Sequence, residues 1–309
     1  YNIAKDTYEA LDVVTIDGRE YVPVQSRLFD DENSVLIFPS GALEYGTDAE
    51  LIKEIQEYIH DYLQVSDFYE KILPYYILFT WVHDAFPFTA YLHFVGITST
   101  GKSRAIDTLS QLCYKSLRGS GSITVSSLFR ISDQFQGTMF LNEFDLGSKS
   151  SEGYGEKLQI LKSGSENYAV FRTEGEGKKQ VEKFKLKGPK VFAGERPIEN
   201  AALESRTIMI PMSKKTRRIP ILTPKKFIER GDILRCKLLL WRFRHLSKIN
   251  IEDIAYGYPE LEKFDSRIQQ VIIPIYYLAS SEAKKTILTY IEEMEIQVKE
   301  ARRDELAGK

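Results

Sequence analysis

The stretch Phe94-Val95-Gly96-Ile97-Thr98-Ser99-Thr100-Gly101-Lys102-Ser103 fits the pattern G-x-x-x-x-G-K-[ST]. The apolar run Tyr91-Leu92-His93-Phe94-Val95 before it reads as a buried strand, and Arg104 to Leu112 after it as a helix. Strand, glycine loop and helix N-terminus together make a cradle for a nucleoside triphosphate. Gly96 and Gly101 allow backbone angles closed to other residues, so the N–H groups of Thr98, Ser99, Thr100 and Gly101 can converge on phosphate oxygens. The spacing assigns Lys102 to the β- and γ-phosphates, the Ser103 hydroxyl to Mg²⁺, and Arg104 to the first turn of the helix whose positive end faces the anion.

The 309 residues, 43% of them apolar, can bury a large core with appendages. Because 42 basic and 44 acidic residues nearly cancel, any contact with nucleic acid must be local. Cys113 and Cys236 are isolated, and His60, His83, His93 and His245 are scattered. Structural zinc and a disulfide framework are therefore not expected, and a reducing, cytoplasmic setting is. The run Ile72 to Trp81 contains Pro74 and is followed by His83 and Asp84, so it reads as a core helix, and no membrane contact is expected. A chain that starts with tyrosine is expected to be a piece of a longer protein with flanking domains.

Four stretches follow from the patterning. Residues 1–47 carry short β-rich runs between turn signals and read as a β-rich cap or the tail of a preceding domain. Residues 48–89 form a helical lead-in that starts at a Thr47/Asp48 cap. Residues 90–224 hold the motifs, and 225–309 are helical and amphipathic.

A second buried strand, Gly137 to Leu141, ends in Asn142-Glu143-Phe144-Asp145. At such a strand end one carboxylate positions the metal and another polarises the attacking water. Glu143 takes the second role. Asn142 stands where an aspartate is expected, so the metal-facing role is weakened or passes to Asp145. A third strand, Lys190 to Ala193, precedes Gly194-Glu195-Arg196, where Glu195 or Arg196 could sense the γ-phosphate. Ala202-Leu-Glu-Ser-Arg206 leads into a last strand, Thr207 to Pro211, and Arg206 is placed to project toward a neighbour's nucleotide.

These segments, with Phe264-Asp-Ser-Arg267 and the apolar run that follows, resemble the AAA+ ATPases over roughly residues 50–280. More narrowly they resemble the helicase-like modules, superfamily III or MCM-like, in replication proteins of plasmids, phages and integrated elements. The resemblance implies an α/β, three-layer phosphate-loop fold: a parallel five-stranded sheet with a helical lid, preceded by the β-rich segment and the helical lead-in. It implies ATP and Mg²⁺ as cofactors, a homo-oligomeric ring, hexameric in related motors, and movement along DNA. Arg206 would then act in trans and Arg267 in cis from the lid.

Residues 168–187 read as a hairpin before the sensor strand, with Lys178 and Lys179 at its tip. In the helicase-like members such hairpins line the channel, where these lysines would meet phosphates of single-stranded or forked DNA. Ordinary surface lysines explain the tip equally well, since two glutamates share it. Three functions compete: a DNA-translocating motor, a protein-remodelling or loader ATPase, and a nucleotide-binding assembly module with weak hydrolysis at Asn142. A GTPase is disfavoured because no Asn-Lys-x-Asp motif occurs.

Overall fold

A computed structural model describes residues 1–23, 36–120, 124–144, 153–174, 180–220 and 224–307. In chain order the strands are β1 (Val14–Ile16), β2 (Arg19–Tyr21), β3 (Leu36–Ile37), β4 (Tyr91–Val95), β5 (Ser116–Ser120), β6 (Met139–Asn142), β7 (Ala169–Glu174), β8 (Gln180–Lys185), β9 (Lys190–Gly194) and β10 (Thr207–Pro211). The α-helices are α1 (Asp48–Tyr62), α2 (Asp67–Val82), α3 (Lys102–Ser110), α4 (Val125–Phe135), α5 (Tyr154–Ser163), α6 (Ala201–Glu204), α7 (Pro224–His245), α8 (Ile251–Tyr256), α9 (Ser266–Leu278) and α10 (Ser281–Ala307).

The central sheet has the order β10-β4-β9-β6-β5-β3. Five strands are parallel, and β3 adds a sixth, antiparallel to β5 through Leu36↔Leu117 and Ile37↔Ser116. The expected sheet of five strands is corrected on this point. The Leu36 run joins the main sheet edge, through a partner some 80 residues away that no local pattern could announce. β4, β9 and β6 are buried almost throughout, as parallel strands covered on both faces must be.

The side chains of the two faces enter different cores. Leu92, Phe94, Phe140, Val191 and Ile208 join the large cluster built with α1, α2, α3, α7, α9 and α10. Tyr91, Met139, Leu141 and Phe192 join a second one with residues of α4, α5 and α6. The strict alternation along β4 thus divides the molecule into three layers.

α1 opens on a reciprocal cap: Thr47 Oγ1 accepts from the Glu50 N–H (3.2 Å), and the Thr47 N–H donates to Glu50 Oε2 (2.8 Å). Its buried residues, Leu51, Ile55, Tyr58, Ile59 and Tyr62, recur at helical spacing on one face. α2 is buried from Ile72 to Val82 and lies against α1, α7, α9 and α10, which is why it reads as apolar all round. No helix among the described residues is long and apolar enough to cross a membrane.

α7 is fastened to the rest by its basic side chains. Arg230 pairs with Asp61 (2.7 Å), Lys237 with Glu54 (2.6 Å), and Arg242 with Asp84 (2.6 Å). Arg244 holds Asp6 (2.7 Å) and Glu44 (2.6 Å), which ties the segment before β1 and the segment before α1 to α7. β7 and β8 form a separate two-stranded antiparallel hairpin, as the 168–187 pattern suggests.

Candidate nucleotide site

β4 ends at Val95, and the chain curls through Gly96–Gly101 before α3 starts at Lys102. Gly101 has φ +94°, which glycine tolerates without strain. Gly96 is required by close approach, since a Cβ there would lie 2.5 Å from the Met212 carbonyl oxygen and 2.8 Å from Thr100 Oγ1. Thr100 Oγ1 donates to the Ile97 carbonyl (2.7 Å), which closes the curl. Lys102 Nζ donates to the carbonyls of Gly96 (2.6 Å) and Ile97 (2.8 Å), so the ammonium lies inside the loop at the head of α3.

The strand order decides what faces this ammonium. β9 lies between β4 and β6, so the loop and the acidic strand end are two strand spacings apart, about 9–10 Å. That gap can hold a terminal phosphate and a water. Ser103 Oγ donates to Asn142 Oδ1 (3.3 Å), which brings two of the proposed metal-facing residues together. Glu143 follows with φ +53°, a left-handed conformation unusual for glutamate and of a kind that clusters at active sites. The turn is pinned by the Phe144 N–H donating to the Ala193 carbonyl (2.8 Å). Asp145 lies outside the described residues, as do Lys178 and Lys179.

From the end of β9, Glu195 Oε1 accepts from Thr98 Oγ1 (2.6 Å), so this carboxylate sits against the phosphate loop itself. Arg196 lines the same cleft. The cleft has a volume of about 1350 Å³ and is bounded by Thr98–Arg104, Asn142–Phe144, Gly194–Glu199 and the segment at Met212–Lys215. It therefore gathers the loop residues, Asn142, Glu143, Glu195 and Arg196 into one place. Arg104 borders the cleft, but its Nη1 is spent on the carbonyls of Pro220 (2.8 Å) and Tyr62 (3.3 Å), which makes it a brace between α3, α1 and the segment before α7.

His93 is a cleft residue that motif reading passes over. It is buried on β4, burial pulls its pKa down to about 4, and its Nε2 has no hydrogen-bond partner among the described residues. Gly194 lies close by: a Cβ there would come 3.0 Å from that nitrogen, so a side chain would require the imidazole to give by a few tenths of an ångström. The one available signal was a polar residue inside an otherwise apolar strand that ends on a phosphate loop.

The two arginines lie elsewhere. Arg206 immediately precedes β10, whose first residue, Thr207, is level with Tyr91 at the start of β4. It is thus at the edge of the sheet away from the loop, about 16 Å along the strand. Its Nε donates to Ser165 Oγ (2.8 Å), its Nη2 to Glu166 Oε1 (2.8 Å), and its Nη1 to the Ala202 carbonyl. Arg267, in the first turn of α9, donates from Nη1 to the same Glu166 Oε1 (2.9 Å) and to Gln270 Oε1 (2.7 Å). Neither borders the cleft of its own chain, so this geometry does not bring Arg267 to the position that a role in cis requires. Glu166, which gathers both, carries no sequence motif.

No protein-family profile matches the chain, and no curated protein matches it. Three solved structures with a similar trace are the SCCmec type IV Cch active helicase (16% identity, TM-score 0.44), the apo C-terminal region of NrS-1 (12%, 0.43) and the JCV helicase (14%, 0.36). They align with 96%, 89% and 80% of this chain, which spans 56%, 60% and 66% of theirs. These are likenesses of trace at low identity, and what the cleft can do is read from its own groups.

Proposed function

We propose that this chain is the ATP-hydrolysing core of an AAA+ motor that works on DNA as a homo-oligomeric ring, with α7–α10 serving as its lid. The observation that carries the reading is the convergence of Lys102, Ser103, Asn142 and Glu143 on one cleft, with β9 between the two strands that supply them. Lys102 and the N–H groups at the head of α3 bind the phosphates. The donors fit Mg²⁺, which favours oxygen ligands: the Ser103 hydroxyl and the Asn142 amide oxygen already lie within 3.3 Å of each other. The ion would neutralise charge on the β- and γ-phosphates. Glu143, exposed at the strand end, accepts a hydrogen bond from the attacking water and orients it toward the γ-phosphorus. Glu195 or Arg196 contacts the terminal phosphate from β9.

Arg206 and Arg267 act on the nucleotide of an adjacent copy, which their distance from their own loop supports. The β7–β8 hairpin is the element offered to DNA.

The test is the ATPase rate with and without single-stranded DNA, paired with native mass in a nonhydrolysable nucleotide. Turnover stimulated by DNA in a ring is the expected result, and a monomer indifferent to DNA would sink the motor. The neutral Asn142 at the metal-facing position favours a second reading, an assembly module. Its sign in the same experiment is a nucleotide-dependent ring without turnover.

A further inference from the structure

Glu195 turns a carboxylate toward the loop that is read above as the phosphate cradle. β9 runs parallel to β4 with Gly194 level with Val95, so Glu195 leaves its strand level with Gly96, where the loop begins. On the other side of β9, Leu141 is level with Phe192, and the strand end that carries Asn142 and Glu143 follows. Glu195 therefore stands between the loop and Glu143, on the side of the cleft where a terminal phosphate would lie. Its Oε1 accepts from Thr98 Oγ1 at 2.6 Å, within the short range of hydroxyl bonds to an ionised carboxylate.

No cation is paired with this carboxylate. Lys102 Nζ is bonded to the carbonyls of Gly96 and Ile97, and burial keeps His93 in the cleft wall neutral. Arg196, the next residue, borders the cleft and makes no hydrogen bond or ion pair among the described residues. The two residues at the end of β9 thus offer opposite chemistry to a phosphate. A guanidinium donates, whereas an ionised carboxylate only accepts, so Glu195 cannot grip a phosphate oxygen as an amide or a hydroxyl in its place would.

We infer that Glu195 is a specificity-determining residue, whose charge makes the cleft reject a nucleoside triphosphate that arrives without its divalent metal. A metal-free γ-phosphate competes with the carboxylate for the Thr98 hydroxyl and then lies beside it, charge against like charge. A triphosphate that carries Mg²⁺ on its β- and γ-oxygens faces Glu195 with less negative charge, and the ion is a hard cation that suits carboxylate oxygen. A diphosphate has no group at this end and is indifferent to Glu195. The inference rests on the reading of the cleft as a nucleotide site.

The experiment measures equilibrium binding of ATP and of ADP by titration calorimetry, in excess Mg²⁺ and in EDTA, for the wild-type chain, Glu195→Gln and Glu195→Ala. Glu195 is exposed, so neither substitution opens a cavity. In EDTA the wild-type chain should bind ATP about tenfold more weakly than ADP, the size expected of two charges a few ångströms apart and partly screened by water. Mg²⁺ should remove that deficit, and so should either substitution in EDTA, with ADP affinity held within about twofold. High salt should shrink the wild-type deficit as well. Glu195→Gln keeps an acceptor for Thr98 and loses only the charge. If it retains the deficit while Glu195→Ala abolishes it, the hydrogen bond and not the charge discriminates, and the inference is overturned. Equal wild-type affinity for the two nucleotides in EDTA overturns it too. A wild-type chain that binds neither nucleotide in Mg²⁺ removes the nucleotide-site reading itself, and this one with it.

Discussion

Two histidines show how far burial overrides the chemistry of a side chain. His83 and His93 are both held near pKa 4 chiefly by desolvation, against about 6.5 for a free imidazole, so both are neutral in the folded protein at pH 7. Between pH 6.5 and 4 the unfolded chain binds protons at these positions that the folded chain refuses. Unfolding free energy must then rise with pH across that window and fall on acidification. Each site accounts for up to about 3 kcal/mol, from roughly 1.4 kcal/mol per pKa unit. The expected outcome is a steep loss of stability in urea titrations between pH 6.5 and 4, made shallower by His83→Gln. An unchanged slope in that variant would show that His83 is not among the groups responsible. His93 has a second significance, because its buried and unpaired Nε2 lies in the wall of the cleft. An orphan of this kind costs about 1–3 kcal/mol and is tolerated most readily where the wall serves a ligand.

At the scale of elements, those that declare themselves locally are legible in the sequence. The phosphate loop, β6, β9, β10 and the hairpin each carry a short apolar or alternating run bounded by glycine or charge, so composition and period suffice. Thr47 with Glu50 marks the start of α1 as clearly. Thr47→Ala should cost about 1 kcal/mol by releasing the first turn. In a chain of this size that is a fall of roughly 2 °C in melting temperature, read by calorimetry. What the sequence hides is pairing at a distance. The attachment of β3 to β5, the insertion of β9 between β4 and β6, and the meeting of Arg267 with a carboxylate 101 positions earlier follow from packing. The candidate site divides the same way. Lys102, Ser103, Asn142 and Glu143 are named by motif, whereas His93 and Glu166 owe their surroundings to residues far away in sequence. Arg104 is the instructive exception, since its place in the motif suggests phosphate and its guanidinium braces two backbone carbonyls.

For the molecule as a whole, the cleft and the arginine pair sit at opposite ends of the same parallel strands. Side chains cannot span that distance, so one copy cannot supply both halves of a site whose arginines touch the nucleotide. This geometry makes a prediction for mixtures of inactive variants. Lys102→Met removes the ammonium proposed to bind the phosphates and leaves the arginines in place. Arg267→Ala keeps the loop and removes the more exposed arginine, while Arg206, with its three internal acceptors, continues to hold the edge of the sheet. Each variant alone should be nearly inactive. Mixed in equal amounts, they should regain ATPase activity at about a quarter of the subunit interfaces, those where an intact loop meets an intact arginine. The rate should rise with protein concentration as mixed rings form. If Arg267 served its own chain's nucleotide, no mixing ratio would restore turnover. A flat line across all ratios, with mixed oligomers verified by native mass, would therefore exclude action between copies.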